Sequence, residues 1–234
     1  MPVVEDSQAV VAEEEVAVDV NAATRPVMPV APVWLICFIA FSLFYIATPG
    51  LIPTDWRWFF KIIPILLLLQ LVISRAAGTV RTLLVIALLF SATGDVLLAM
   101  EGRFVQGLGA FLLAQITYTI LFTMQGRWQP QRLWWTGLIV LYALLCTVYI
   151  VPEAGNMKVP IVAYMVAISL MAISAGFRED SKFLWVAIGA LVFMVSDTLI
   201  AVNRFVISLE YSGIAVMGTY YLAQALICTG VLRR

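Results

Sequence analysis

The chain of 234 residues has no histidine, three cysteines and little charge, with Asp, Glu, Lys and Arg together making up 12%. Each scarcity excludes something. Without histidine there is no Ser-His-Asp or Cys-His catalysis, and none of the histidine-ligated zinc sites that several intramembrane hydrolases use. Cys37, Cys146 and Cys228 lie far apart inside apolar runs, so neither a C-x-x-C site nor a disulfide framework is suggested and they read as small core residues. No G-x-S-x-G elbow, Walker A loop or basic stripe for nucleic acid occurs. Soluble domains carry about 25% charged residues; at half that, no water-soluble surface can be built. What is present is apolar. Hydrophobic residues make up 63% and the mean hydropathy is +1.00, which describes an all-α, polytopic membrane protein.

Six of the fourteen acids (Glu5, Asp6, Glu13, Glu14, Glu15, Asp19) fall in the first 20 residues. Residues 1–32 therefore read as a disordered acidic tail, ending at the Pro26, Pro29, Pro32 series, with no basic n-region to suggest a cleaved signal. Residues 33–234 form the membrane domain. Apolar runs of helix length predict spans at roughly 33–48, 57–74, 80–100, 104–125, 133–151, 158–177, 182–203 and 211–232, since about 20 residues cross the hydrocarbon and unpaired backbone cannot face lipid. Eight spans put both termini on one side. That side holds nine basic residues against five on the other, so the positive-inside rule predicts cytoplasmic termini.

The third and fourth spans echo the seventh and eighth. Asp95-Val96-Leu97-Leu98-Ala99 matches Asp197-Thr198-Leu199-Ile200-Ala201, followed by Phe104 and Phe205. Gly109-Ala110-Phe111-Leu112-Leu113-Ala114-Gln115 matches Gly218-Thr219-Tyr220-Tyr221-Leu222-Ala223-Gln224. Copies four helices apart point the same way through the membrane, which predicts two four-helix repeats with pseudo-twofold symmetry about the membrane normal. The aspartates then sit at matching depths, facing each other across the axis, and their carboxylates are expected to converge on one cavity.

Outside the tail, Asp95 and Asp197 are the acids set well inside a predicted span. A charge there costs about 2.5–3.5 kcal/mol on insertion scales and usually faces the bundle interior or a wet cavity. Polar neighbours share the region: Ser91 four residues before Asp95, Ser196 next to Asp197, Gln115 with Tyr118, and Tyr220 and Tyr221 with Gln224. The glutamines either orient the carboxylates or bridge helices. Lys61, one turn into the second span, reads as a snorkelling anchor, as a phosphate ligand or as a partner that keeps an aspartate ionised. Arg103, Asn203 and Arg204, just outside the aspartates, are candidates for an anion site or for headgroup anchors. Tyr142 and Tyr149 flank Cys146 on one face and read as packing.

At these residues the chain resembles the YhhN-like lysoplasmalogenase family. The matching pieces are Lys61-Ile62-Ile63-Pro64, Gly94-Asp95 with Leu98-Ala99, Ser196-Asp197-x-Leu199-x-Ala201 with Phe205, and Tyr220-Tyr221-x-Ala223-Gln224. The resemblance implies hydrolysis of the vinyl ether bond of a lysoplasmalogen to a fatty aldehyde and glycerophosphoethanolamine or glycerophosphocholine. Asp95 and Asp197 are then catalytic, with Lys61, Gln115, Tyr118, Ser196, Asn203, Tyr220, Tyr221 and Gln224 on the substrate. A vinyl ether yields to acid through an oxocarbenium ion, and two aspartates sharing one proton suit that chemistry without metal or cofactor. The expected partners are a lysophospholipid substrate and membrane lipid, not nucleic acid. Residue physics alone also supports a proton-coupled transporter with the two aspartates as relay.

Overall fold

The structure, a computed structural model, describes residues 32–48, 50–179 and 182–233. The acidic tail expected before Pro32 lies outside the described residues. The apolar runs form helices because lipid offers the backbone no other partner. They are α1 (Pro32–Ala47), α2 (Arg57–Arg75), α3 (Gly78–Ala99), α4 (Phe104–Met124), α5 (Leu133–Ile150), α6 (Lys158–Gly176), α7 (Phe183–Phe205) and α8 (Ser212–Leu232). There is no strand among the described residues beyond a single bridge between Gly126 and Arg178.

Six stretches are long and apolar enough to cross a membrane by length and composition, while α1 is shorter. The longest, Pro130–Gly176, has 47 residues. As one straight helix it would extend about 70 Å, more than twice the roughly 30 Å of hydrocarbon. It turns back instead at Gly155, whose φ of +52° is open to glycine and strained for other residues, and α5 packs on α6. Gly102, with φ +71°, makes the equivalent reversal between α3 and α4. Leu141, Leu144, Leu145 and Val148 on α5 are 57–75% exposed. A helix face of that kind belongs in lipid, not water.

The most extensive packing joins α3 to α4 and α7 to α8; α6 lies against α4, α5 and α7, and α2 against α1, α3 and α8. Small residues permit the close approaches, as is usual where no hydrophobic effect drives helices together. At Gly94 an added Cβ would meet the Phe111 ring at 2.5 Å, and at Gly189 it would meet the Leu226 Cβ at 2.9 Å. Gly94 thus lets Phe111 press against α3 beside Asp95.

Candidate active site

Two polar clusters are built around the two aspartates. In the first, Lys61 Nζ lies 3.1 Å from Asp95 Oδ1 and also donates to the Asp95 carbonyl at 3.3 Å. Tyr220 Oη donates to Asp95 Oδ2 at 2.7 Å. Asp95 is 1% exposed and Lys61 9%. The Lys61 ammonium is therefore committed to a buried ion pair and is not free to meet an incoming anion. Its backbone is pinned too, because Tyr221 donates its hydroxyl to the Lys61 carbonyl at 2.7 Å.

The second cluster has no cation. Asp197 Oδ2 accepts from Tyr164 Oη and, at 3.1 Å, from Gln115 Nε2. Its other oxygen, Oδ1, accepts no hydrogen bond from the described residues. Asp197 lines a narrow cavity between α4, α6 and α7 with a volume of about 40 Å³, well below the roughly 300–1,000 Å³ of small-molecule sites, so an entering chain must part the lining side chains. Its lining is mostly apolar, including Leu98, Phe104, Leu108, Met165, Ile168 and Phe205, with Tyr164 and Thr198 as polar additions to Asp197. Such a lining suits an apolar chain that brings a reactive polar group to the carboxyl.

Asp95 does not line this cavity. Phe111 stands between: its ring forms part of the cavity wall and packs edge-on against Tyr220, 5.8 Å between centroids, and against Phe193 at 6.2 Å. Tyr220 in turn holds Asp95. The two carboxyls are nonetheless within electrostatic range of each other.

The remaining candidates are divided by their hydrogen bonds. The two glutamines take different roles: Gln115 orients the Asp197 carboxyl, whereas Gln224 bridges helices, accepting from Tyr118 at 2.7 Å and donating to Ser91 at 3.0 Å. Ser196 donates to the Val216 carbonyl at 3.0 Å, tying α7 to α8. Asn203 accepts from the Leu209 amide at 2.9 Å and closes the turn after α7. None of Lys61, Gln115, Tyr118, Ser196, Asn203, Tyr220, Tyr221 and Gln224 lines the cavity at Asp197.

A family model described as the YhhN family matches residues 56–231, which contain every residue of both clusters. The chain belongs to the YhhN family. Among its relatives is a lysoplasmalogenase of Mycobacterium tuberculosis, 33% identical over 183 residues, covering 73% of this chain and 68% of that protein. Two human relatives are each 32% identical: lysoplasmalogenase TMEM86A over 201 residues (79% of this chain, 81% of that one) and lysoplasmalogenase TMEM86B over 212 (87% and 86%). No solved structure matches significantly.

Tyr164 is the functional residue of this YhhN chain that sequence reasoning missed, and a signal for it existed. It precedes Asp197 by 33 residues, as Lys61 precedes Asp95 by 34. The two spacings, 33 and 34 residues, are close to one another.

Proposed function

We propose that this protein is a lysoplasmalogenase-like membrane hydrolase that cleaves the vinyl ether of a single-chain phospholipid. Family membership supports the reaction class. The observation that carries the site is the cavity at Asp197, apolar except for the Thr198 hydroxyl, a phenol, and a carboxyl with one oxygen that accepts no hydrogen bond from the described residues. The alkenyl chain lies along the apolar wall and the ether reaches Asp197.

Asp197, whose partners are neutral, delivers its proton to the β-carbon of the vinyl ether, leaving an oxocarbenium ion and a carboxylate. Water adds to the cationic carbon and returns a proton to Asp197. The hemiacetal so formed collapses to the aldehyde and the free glycerol hydroxyl. One carboxyl thus acts first as acid and then as base, as in retaining glycosidases. Asp95, ion-paired with Lys61, contributes negative charge behind the Phe111 wall that favours the cationic intermediate in a low dielectric. Tyr164 and Gln115 hold the Asp197 carboxyl in place.

The proposal extends to architecture. Each of α1 to α8 crosses the membrane, both termini are cytoplasmic, and α1–α4 relate to α5–α8 by a pseudo-twofold axis along the membrane normal. Contact between the matched residues Phe111 and Tyr220 supports the axis, because residues at a twofold meet their own counterparts. The packing of α2 on α8 with that of α6 on α4 supports it independently.

The test is aldehyde release from lysoplasmenylethanolamine by the purified protein in detergent, with Asp197→Asn as control. Turnover in a single compartment separates a hydrolase from a transporter. Absence of aldehyde from a folded, monodisperse preparation refutes the reading.

A further inference from the structure

Lys61 is committed to Asp95, so the substrate's phosphate needs another partner, and the lining of the cavity offers one. There, Arg204 lies over the Phe104 ring with its guanidinium carbon 3.9 Å from the centroid, and 5.8 Å from that of Phe205. Both rings line the cavity. Arg204 is exposed, and stacking orients its guanidinium plane beside the cavity lining while its edge N–H groups point away from the rings, the geometry in which arginine takes a phosphate bidentately. No carboxylate pairs with it among the described residues. Asn203, the residue before it, fastens the turn that follows by accepting from the Leu209 amide.

The spacing agrees with the chemistry. Asp197 and Arg204 are seven residues apart on α7, so they share a face about 10 Å apart along the axis. In a lysoplasmalogen about seven bonds link the β-carbon of the vinyl ether to phosphorus, and at ~1.2 Å per extended bond the phosphate oxygens lie roughly 9–10 Å from the carbon that takes the proton. Arg103 and Lys158 stand at the same end of the bundle, but it is Arg204 that stacks on rings lining the cavity.

The geometry points to Arg204 as the headgroup-binding residue, taking the phosphate of a lysophospholipid whose vinyl ether is at Asp197. This rests on the hydrolase reading for its substrate, and it assigns the enzyme a requirement for a phosphate at fixed distance from the ether. A cation at a helix C-terminus stacked on an aromatic ring also serves as a plain membrane anchor, and the experiment separates the two.

Kinetics of wild type, Arg204→Gln, Arg204→Lys and Arg103→Gln are compared on lysoplasmenylethanolamine and on the corresponding alkenyl glycerol that lacks the phosphate. Folding is checked by gel filtration and melting temperature. For Arg204→Gln, KM for the phospholipid should rise about tenfold or more with kcat less affected, the pattern of lost uniform binding, and KM for the alkenyl glycerol should not move. Arg204→Lys, which keeps the charge and loses the fork, should fall between, and Arg103→Gln should match wild type. Equal KM changes on both substrates, or an effect at Arg103 without one at Arg204, overturns the assignment. A parallel titration with a saturated alkyl-ether lysophospholipid, which cannot be hydrolysed by this route, measures binding alone. If wild type turns over neither substrate yet binds this ligand through Arg204, the hydrolase reading fails and the phosphate site stands. Binding unaffected by Arg204→Gln overturns the site whatever the activity.

Discussion

Replacing Asp95 by Asn removes one member of a buried ion pair and leaves the other. The side chains are 2% exposed at Asp95 and 11% at Lys61, with 3.1 Å between charged atoms. Breaking such a pair from one side costs about 3–5 kcal/mol, chiefly because the surviving charge is buried without compensation. Asparagine's one amide oxygen can still accept from Lys61, the Tyr220 hydroxyl can turn to accept from the amide NH2, and Lys61 has a little exposure, so the lower end applies: about 3 kcal/mol, or a fall in melting temperature of roughly 6–12 °C for a domain of this size. The companion variant Lys61→Met removes the ammonium but keeps much of the stem. Combined, Asp95→Asn and Lys61→Met bury two neutral groups and should recover most of the loss, to within about 1 kcal/mol of wild type, a coupling in the double-mutant cycle of about 2 kcal/mol plus whatever Lys61→Met costs alone. Melting curves of the four proteins in one detergent measure it, with chemical denaturation as a check on reversibility. Simple addition of the two single effects, or an Asp95→Asn protein as stable as wild type, would refute the view that Lys61 exists to compensate Asp95. Activity adds a second reading. If Asp95 supplies negative charge to a cationic intermediate, the double variant stays slow although its stability returns.

Asp197→Asn should reduce kcat by about 10²–10⁴-fold, the usual contribution of a general acid–base group, while its melting temperature stays near that of wild type; aldehyde release and thermal denaturation measure the two. Tyr164→Phe removes the phenol that donates to Asp197 Oδ2 and should lower kcat about tenfold with little change in KM or folding. Gly94→Ala places a Cβ 2.5 Å from the Phe111 ring and should destabilise the protein by about 1–3 kcal/mol, read as a lower melting temperature; an unchanged melt would mean that α3 and α4 have slack there.

The helices were legible because lipid leaves the backbone no alternative to self-satisfaction: expected limits differ from those observed by no more than two residues. Asp95 and Asp197 were legible for the same reason, since a carboxyl deep in an apolar run is too costly to be incidental. Which partner each aspartate takes was not legible. Lys61 satisfied three readings equally well from its position one turn into a span; what decides is the meeting of α2 with α3, a tertiary fact. Ser196, Asn203 and Tyr221 looked like site residues because polar side chains near a carboxyl invite that reading. Their polar atoms instead bond main-chain groups at Val216, Leu209 and Lys61, and a main-chain partner leaves no mark on the sequence. The Phe111 wall escaped for a related reason: its place depends on the missing Cβ of Gly94, visible only once the two helices are side by side.

The difference between the two clusters explains why a pair of matched aspartates is useful. Were both aspartates paired with a lysine, each carboxyl would face an ammonium and neither would have a proton to give. Were both paired with a tyrosine, neither would be held as a carboxylate, and two carboxyls within electrostatic range would compete for one charge. One lysine and one tyrosine, 34 and 33 residues ahead of their aspartates, remove that competition by assigning the charge to one side. The cavity follows the same division, opening at Asp197 and closed from Asp95 by Phe111. Exchanging the two residues, Lys61→Tyr with Tyr164→Lys, would put a cation at the cavity wall beside Asp197. A lysoplasmalogenase built on proton donation from Asp197 should then lose turnover even where the fold tolerates the swap. Retained activity in that double variant would mean that the proton comes from elsewhere.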